Sequence, residues 1–126
     1  MKTSALSATP PPTRPILLWD GDCRFCGRSA RWLQRRTGNA VDFAPYQQAM
    51  PDYPEIPEAD FAKAVQLVDV DGAIYPAAQA VFRALATQPK YAWLLRFYQG
   101  SQIFATISEW VYRRVANNRS LISKVI

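Results

Sequence analysis

The stretch Ile16–Cys26, ILLWDGDCRFC, decides the fold prediction because it joins a short apolar run to two cysteines. The run Ile16–Trp19 is short and ends at the turn residues Asp20–Asp22, which is typical of a buried strand. The next segment, Cys23–Arg36, contains no proline and repeats arginine every three or four residues, which predicts a helix. The two cysteines therefore stand where a strand passes into a helix.

The segments after this helix extend the pattern to an α/β domain. Val41–Ala44 alternates apolar and polar residues and predicts a second strand, which a right-handed crossover would make parallel to the first. Gln47–Asp60 contains three prolines and is predicted to be a loop. Asp71–Gly72 is a hairpin signal between two further predicted strands, Ala64–Val70 and Ala73–Tyr75.

The remainder of the chain is predicted to be helical. Three helices are expected, over Ala77–Thr87, Tyr91–Tyr98 and Ser101–Ala116. The last of them carries an apolar stripe that consists of Ile103, Ile107, Trp110, Val111 and Val115. The predicted order is therefore β-α-β, a loop, a β-hairpin and C-terminal helices.

The two ends of the chain are predicted to lie outside this domain. Residues 1–15 include three consecutive prolines and are expected to form a disordered, proline-rich tail. The domain is then expected over residues 16–120, with a C-terminal tail over residues 121–126. The N-terminus lacks the apolar core of a signal peptide, and no window is apolar enough to span a bilayer. We therefore expect a cytoplasmic protein with reduced thiols and no transmembrane segment.

The composition restricts the chemistry that the chain can perform. Its 126 residues are the size of one domain, and a hydrophobic content of 49% excludes a mostly disordered protein. The absence of histidine excludes Ser-His-Asp and Cys-His catalysis and every histidine-ligated metal site. Two cysteines exclude a multi-disulfide scaffold and a four-thiolate zinc site within one chain. Any catalysis must use sulfur, carboxylates, hydroxyls or arginine.

The net charge of +5 arises from 15 Lys and Arg against 10 Asp and Glu. Arginines cluster in the first predicted helix and again over residues 113–119. No nucleic-acid motif accompanies them, so we expect no nucleic-acid partner. We interpret the clusters as solvated helix faces rather than as a patch for an anionic partner.

The two cysteines form a CxxC at the predicted start of a helix. Unpaired N–H groups and the helix dipole favour a thiolate at a helix start, where Cys23 is expected, whereas Asp20 and Asp22 disfavour an anion nearby. Cys26 lies one turn on, close enough to close a disulfide. In a βαβ context this spacing predicts a redox motif. Three alternatives remain open: a zinc or iron–sulfur centre shared by a symmetric dimer, a pair of packed inert thiols, and a non-catalytic adaptor whose basic helix faces bind an acidic partner.

Four segments of the chain resemble one known family. They are Trp19–Cys26 (WDGDCRFC), Phe43–Gln47 (FAPYQ), Gln66–Gly72 (QLVDVDG) and Tyr112–Arg119 (YRRVANNR). Together they resemble the DCC family of thiol–disulfide oxidoreductases, named for the Asp and two Cys of DxxCxxC, over about residues 16–120. The resemblance implies a thioredoxin-like α/β fold in which Cys23 and Cys26 are the redox pair and Asp20 is the motif carboxylate.

The order of the motif suggests a role for each polar residue. Cys23 is the expected attacking thiolate because it is nearest the helix start, and Cys26 is the expected resolving thiol. Asp20 is a candidate proton acceptor for Cys26, with turn formation beside Gly21 as its alternative. Asp22 is the expected N-cap of the helix.

The predicted function is thiol–disulfide exchange with a protein or small-molecule disulfide. Substrate contacts are assigned to Trp19, Phe25 and Arg24, although core packing would also account for both aromatic residues. No bound cofactor and no metal are expected, because sulfur carries the two electrons. The thioredoxin fold usually places a cis-proline just before its third strand, facing the CxxC. Here Phe61–Ala64 contains no proline, and Pro76 is a poor positional match.

Overall fold

The computed structural model describes residues 7–125, which are built on a four-stranded sheet. The strands are β1 (Ile16–Trp19), β2 (Asp42–Pro45), β3 (Gln66–Val68) and β4 (Ile74–Pro76). Their order is β2-β1-β3-β4, with β1 parallel to β2 and antiparallel to β3, and with β3 and β4 forming the hairpin. The predicted α/β class and β-α-β-hairpin order are confirmed, and the arrangement is that of a thioredoxin-like fold.

Helices lie between and around these strands. They are α1 (Arg24–Thr37), α2 (Tyr46–Ala49), α3 (Glu58–Lys63), α4 (Ala77–Leu85), α5 (Ala92–Gly100), α6 (Gln102–Asn117) and α7 (Arg119–Val125). The four helices predicted from periodicity are confirmed as α1, α4, α5 and α6, with small shifts at their ends. None of the helices in the described residues is long and apolar enough to cross a membrane.

The predicted loop over Gln47–Asp60 is partly wrong, because α2 occupies its beginning and α3 begins before its end. Pro45 and Pro57 each stand directly before the first turn of one of these helices. A proline at that position removes no helical hydrogen bond, so it marks a helix start as readily as a loop. The sequence also does not predict α7, whose seven residues are too few for a periodic signal.

Successive residues of β1 point to opposite faces of the sheet and join two separate cores. Leu18 packs with Tyr46 and Phe61, whose rings stack with their centroids 5.0 Å apart. Leu17 faces the other way and packs with Leu33 of α1 and with residues of α4. Burial on both faces fixes β1, and therefore fixes the position of the turn that follows it.

The apolar stripe predicted on α6 is exposed. An apolar helix stripe ordinarily faces a core, but Ile103 is 74% exposed, Ile107 is 55% exposed and Trp110 is 54% exposed. The buried residues of α6 are instead Ala105 and Glu109. The helix thus packs on α4 and α5 through its other side and leaves the stripe uncovered.

Part of the predicted N-terminal tail contacts the hairpin. Ser7 pairs with Ala73 in an isolated β-bridge, and the buried Ala8 donates its backbone N–H to the carbonyl of Gly72 at 2.8 Å. The rest of that predicted tail, residues 1–6, lies outside the described residues. The domain boundaries stay a prediction, although α7 continues beyond residue 120.

A buried carboxylate ties three helices together. Glu109 of α6 accepts a hydrogen bond from the Tyr98 hydroxyl of α5 at 2.6 Å, and its other oxygen accepts one from the Ala78 N–H of α4 at 3.4 Å. Burial raises the pKa of Tyr98, and the hydrogen bond to Glu109 raises it further. The phenol therefore remains a donor at every pH at which the fold is studied.

We predict that Tyr98→Phe lowers the free energy of unfolding by about 2 kcal/mol, because it leaves a buried carboxylate oxygen without its donor. Urea denaturation measures the loss. In a Glu109→Gln background the same substitution should lower the free energy of unfolding by less, since leaving a neutral amide oxygen without a donor is less unfavourable than leaving a charged one. Equal losses in the two backgrounds would show that the negative charge of Glu109 adds nothing to this hydrogen bond.

Candidate dithiol site

The turn between β1 and α1 accommodates only glycine at its centre. The Asp20 carboxylate accepts a hydrogen bond from the Asp22 N–H at 2.9 Å, and the Asp20 carbonyl accepts one from the Cys23 N–H at 3.2 Å. A Cβ on Gly21 would lie 2.9 Å from the Cβ of Pro45 in β2. The turn therefore packs closely against β2, with room only for glycine at residue 21. Asp20 also has the turn role that the sequence suggests, since its carboxylate binds the Asp22 N–H.

Cys23 is the N-cap of α1, and the prediction of Asp22 at that position is wrong. The Cys23 sulfur accepts a hydrogen bond from the Cys26 N–H at 3.2 Å. The helix begins one residue later than an Asp22 cap requires, and the Asp22 carboxylate instead accepts a hydrogen bond from the Gln47 side chain at 3.4 Å. A sulfur at this position faces the positive end of the helix dipole, where a thiolate is stabilised.

Helix α7 lies over the start of α1 and brings a hydroxyl to the first cysteine. The Ser123 Oγ accepts a hydrogen bond from the Phe25 N–H at 3.2 Å and lies 4.0 Å from the Cys23 Sγ. Sequence reasoning missed Ser123, because it falls in the segment predicted to be a C-terminal tail.

Arg119, the first residue of α7, stands between Asp20 and Cys26. Its Nη1 donates to the Cys26 Sγ at 3.6 Å, and its Nη2 lies 3.3 Å from the Asp20 carboxylate. Nη2 also donates to the Ala62 carbonyl at the end of α3. The sequence suggested either a solvated charge for this arginine or contacts with helix carbonyls or acidic groups. Its place in the YRRVANNR segment was the one signal that could have identified it.

The two cysteines are free thiols in different environments. The pKa of Cys26 is raised to about 12, mostly by burial and further by the hydrogen bond and charge of Cys23. The Arg119 guanidinium opposes this by lowering the pKa of Cys26, but its effect is the smaller one. Cys26 is therefore a protonated thiol at neutral pH.

Two cavities meet at the site, and each contains one sulfur. Cys26 lies in an apolar groove of about 530 Å³ between α1, α4 and α6, which we call the α1–α6 groove. Cys23 lies in a polar cavity of about 540 Å³ with Asp20 and Lys124. The residues predicted to contact substrate divide between them: Trp19 and Phe25 line the groove, whereas Arg24 lines the polar cavity.

The backbone of the segment before β3 forms hydrogen bonds with side chains of α6 and α7. The Val65 N–H donates to the Tyr112 hydroxyl at 3.0 Å, and the Ala62 carbonyl accepts from Arg119. Burial raises the pKa of Tyr112 to about 12, so the phenol stays neutral there. This is the segment in which the sequence has no proline, and its backbone groups bind side chains of α6 and α7 instead.

The site does not by itself form a metal centre in residues 7–125, where no three His, Cys, Asp or Glu side chains converge. The Asp20 carboxylate, the nearest oxygen donor in the motif, is bound to Arg119 and to the Gln47 amide. The shared metal centre suggested as an alternative would need sulfur from a second chain and stays a prediction.

A CxxC that opens the first helix of a thioredoxin-like sheet defines the class of dithiol redox proteins. The chain belongs to the DCC1-like thiol-disulfide oxidoreductase family, whose model matches residues 17–125. No curated protein and no solved structure matches the chain. The family that the motif segments resemble is thus confirmed.

We predict that Cys23 reacts at least about tenfold faster than Cys26 at neutral pH, because burial raises the pKa of Cys26 whereas Cys23 lies at the N-terminus of α1 beside a polar cavity. Iodoacetamide alkylation of a Cys26→Ser variant measures Cys23, and alkylation of a Cys23→Ser variant measures Cys26. The rate for Cys26 should still rise above pH 9.0, the ordinary pKa of a cysteine, because burial is the main cause of its shift. A plateau for Cys26 below that pH would contradict the assignment.

Proposed function

We propose that the protein catalyses thiol–disulfide exchange, with Cys23 as the nucleophile and Cys26 as the resolving thiol. The observation that supports this best is the N-cap position of the Cys23 sulfur, which accepts the Cys26 N–H at 3.2 Å. This geometry places one sulfur at the positive end of a helix and the other within one turn of it. Those are the two requirements of a dithiol that attacks and then resolves.

The reaction conserves atoms and electrons in two steps. The Cys23 thiolate attacks one sulfur of a substrate disulfide, and the substrate S–S bond breaks. One substrate sulfur departs as a thiolate, and the other stays bonded to Cys23 in a mixed disulfide. The Cys26 sulfur then attacks the Cys23 sulfur and expels the second substrate thiolate, while its proton goes to a leaving thiolate. The dithiol is oxidised to a disulfide, and the substrate is reduced to two thiols.

The second step depends on the charge beside Cys26. A thiol whose pKa is about 12 is a poor nucleophile at neutral pH, so it needs stabilisation as its proton leaves. The Arg119 guanidinium, 3.6 Å from the sulfur, supplies positive charge there. Asp20 contacts this guanidinium and not the sulfur. We therefore propose that Asp20 positions Arg119, in place of the direct proton relay suggested by the sequence.

The surroundings of the sulfurs suggest how a substrate is held. Trp19 and Phe25 offer apolar contacts in the α1–α6 groove, and Arg24 offers a charged contact in the polar cavity. We propose that the protein works in the cytoplasm, where a reducing thiol pool would keep it acting as a reductase or a redox sensor. No bound cofactor is needed for the exchange itself.

We predict that the wild-type dithiol reduces an aromatic disulfide that releases a coloured thiol, and that one equivalent of protein releases both substrate thiols. Cys23→Ser should abolish the reaction. Cys26→Ser should release one thiol and retain the other as a mixed disulfide that mass spectrometry detects. Full activity of Cys23→Ser would contradict the assignment of Cys23 as the nucleophile, and no thiol release by the wild type would favour a non-catalytic adaptor.

We predict that Arg119→Gln slows release of the mixed disulfide on the order of tenfold, because the Cys26 thiolate loses its positive neighbour. Single-turnover stopped-flow at several pH values measures the release step. If Asp20 acts through the guanidinium, Asp20→Asn should slow release in the wild type and add nothing in the Arg119→Gln background.

Arg113→Gln, which removes an exposed charge from α6, is the matched control and should leave release unchanged. Denaturation of each variant separates lost catalysis from lost stability. Additive effects of the Asp20 and Arg119 substitutions would show that Asp20 acts independently, as a direct base would.

A further inference from the structure

Outside the dithiol, the largest unexplained feature is the exposed apolar surface around the mouth of the α1–α6 groove. Trp32 of α1 is 43% exposed on one wall of the groove. Ile107 and Val111 of α6 stand on the opposite wall, and Ile103 and Trp110 continue the stripe beside them. An exposed apolar surface of this kind is typical of a site that contacts a membrane or a protein partner.

The two stretches of chain that supply this surface are rich in basic residues. Helix α1 contains five arginines and no acidic residue. Residues 73–126 contain seven Lys or Arg and a single acidic residue, Glu109, which is buried. The other nine acidic residues lie between Asp20 and Asp71, outside α1. We call the surface formed by α1 and α6 around the groove the basic face.

Tryptophan and arginine are paired on α1 and again on α6. The Arg36 guanidinium lies 3.8 Å from the ring centroid of Trp32, and the Arg114 guanidinium lies 5.4 Å from that of Trp110. Each pair sets an amphipathic ring next to a cation. Tryptophan favours the headgroup level of a bilayer, and arginine favours the phosphates there.

We propose that the basic face docks on the surface of an anionic phospholipid bilayer, with Trp32 and Trp110 at the interface and Arg36 and Arg114 on lipid phosphates. Charge complementarity selects this occupant. A second copy of the chain would bring like charges together across the contact. Single-stranded nucleic acid binds through bases that stack on aromatic side chains, whereas aliphatic side chains such as Ile103 and Val111 occupy much of this surface.

The proposal concerns surface attachment and does not rest on the reactivity of the two sulfurs. Cys23 opens into the polar cavity and not into the groove. A Cys23→Ser variant should therefore bind vesicles as the wild type does, even though it cannot exchange disulfides. Failure of one proposal can thus be told from failure of the other.

The test is co-sedimentation of the full chain with vesicles of phosphatidylcholine alone and of phosphatidylcholine mixed with phosphatidylglycerol. We expect the partition coefficient on the anionic vesicles to exceed that on the neutral ones by at least about tenfold, and to fall as salt is raised. Tryptophan emission should shift to the blue on binding and be quenched by brominated lipid. Equal binding to both vesicles, or none to either, would overturn the proposal.

Two pairs of substitutions test the two parts of the surface. Arg36→Gln with Arg114→Gln should lower anionic binding about thirtyfold, since each basic residue contributes about 1 kcal/mol near such a surface. Arg14→Gln with Lys63→Gln makes the same change of net charge elsewhere and should leave most of the binding. An equal loss in both pairs would show that net charge alone, and not this face, is responsible.

Ile103→Ser with Trp110→Ser should also weaken binding on the order of tenfold, because both side chains are exposed and would leave water on docking. Val70→Ser, at an exposed residue of the hairpin, is the control and should bind normally. Two other results would overturn the proposal: a dimer that the Ile103 and Trp110 substitutions dissociate, or binding of polyglutamate or oligothymidylate without binding to anionic vesicles.

Discussion

The geometry of the site depends on one guanidinium. Arg119 contacts the carboxylate that ends β1, the sulfur of Cys26 in α1 and the carbonyl of Ala62 at the end of α3. These groups belong to segments that the sheet alone would not hold in register with one another. A planar, permanently charged fork can satisfy several acceptors at once, which lysine cannot. The arginine therefore fixes the position of α7 and the electrostatics of the dithiol together.

The two sulfurs of the CxxC are unequal because the helix and the core act on them differently. Cys23 lies at the N-terminal end of α1, where backbone N–H groups point outward and where charged side chains line a polar cavity. Cys26 is one turn inside, against apolar residues of the groove, where burial raises its pKa. The same three-residue spacing thus places one thiol at a dipole and the other in a poorly solvated environment.

The sequence predicted the parts of this architecture that repeat or alternate. The buried run Ile16–Trp19, the hairpin at Asp71–Gly72 and the periodic helices are local signals, and all appear in the fold. The roles of Arg119 and Ser123 could not be predicted in that way, because their contacts with the CxxC span more than ninety residues. The α6 stripe shows the opposite limit: periodicity identified the apolar face but could not indicate that residues 7–125 leave it exposed.

The distance along the chain between the CxxC and α7 has a consequence for biosynthesis. The cysteines leave the ribosome long before Arg119 is made, and β1, α1 and β2 can pair while that residue is still being added. During this interval Cys23 has no serine beside it and Cys26 has no guanidinium. Bringing such distant residues together is also entropically slow. A nascent chain therefore lacks both contacts that α7 makes with the two sulfurs, and the appearance of these contacts marks the completion of folding.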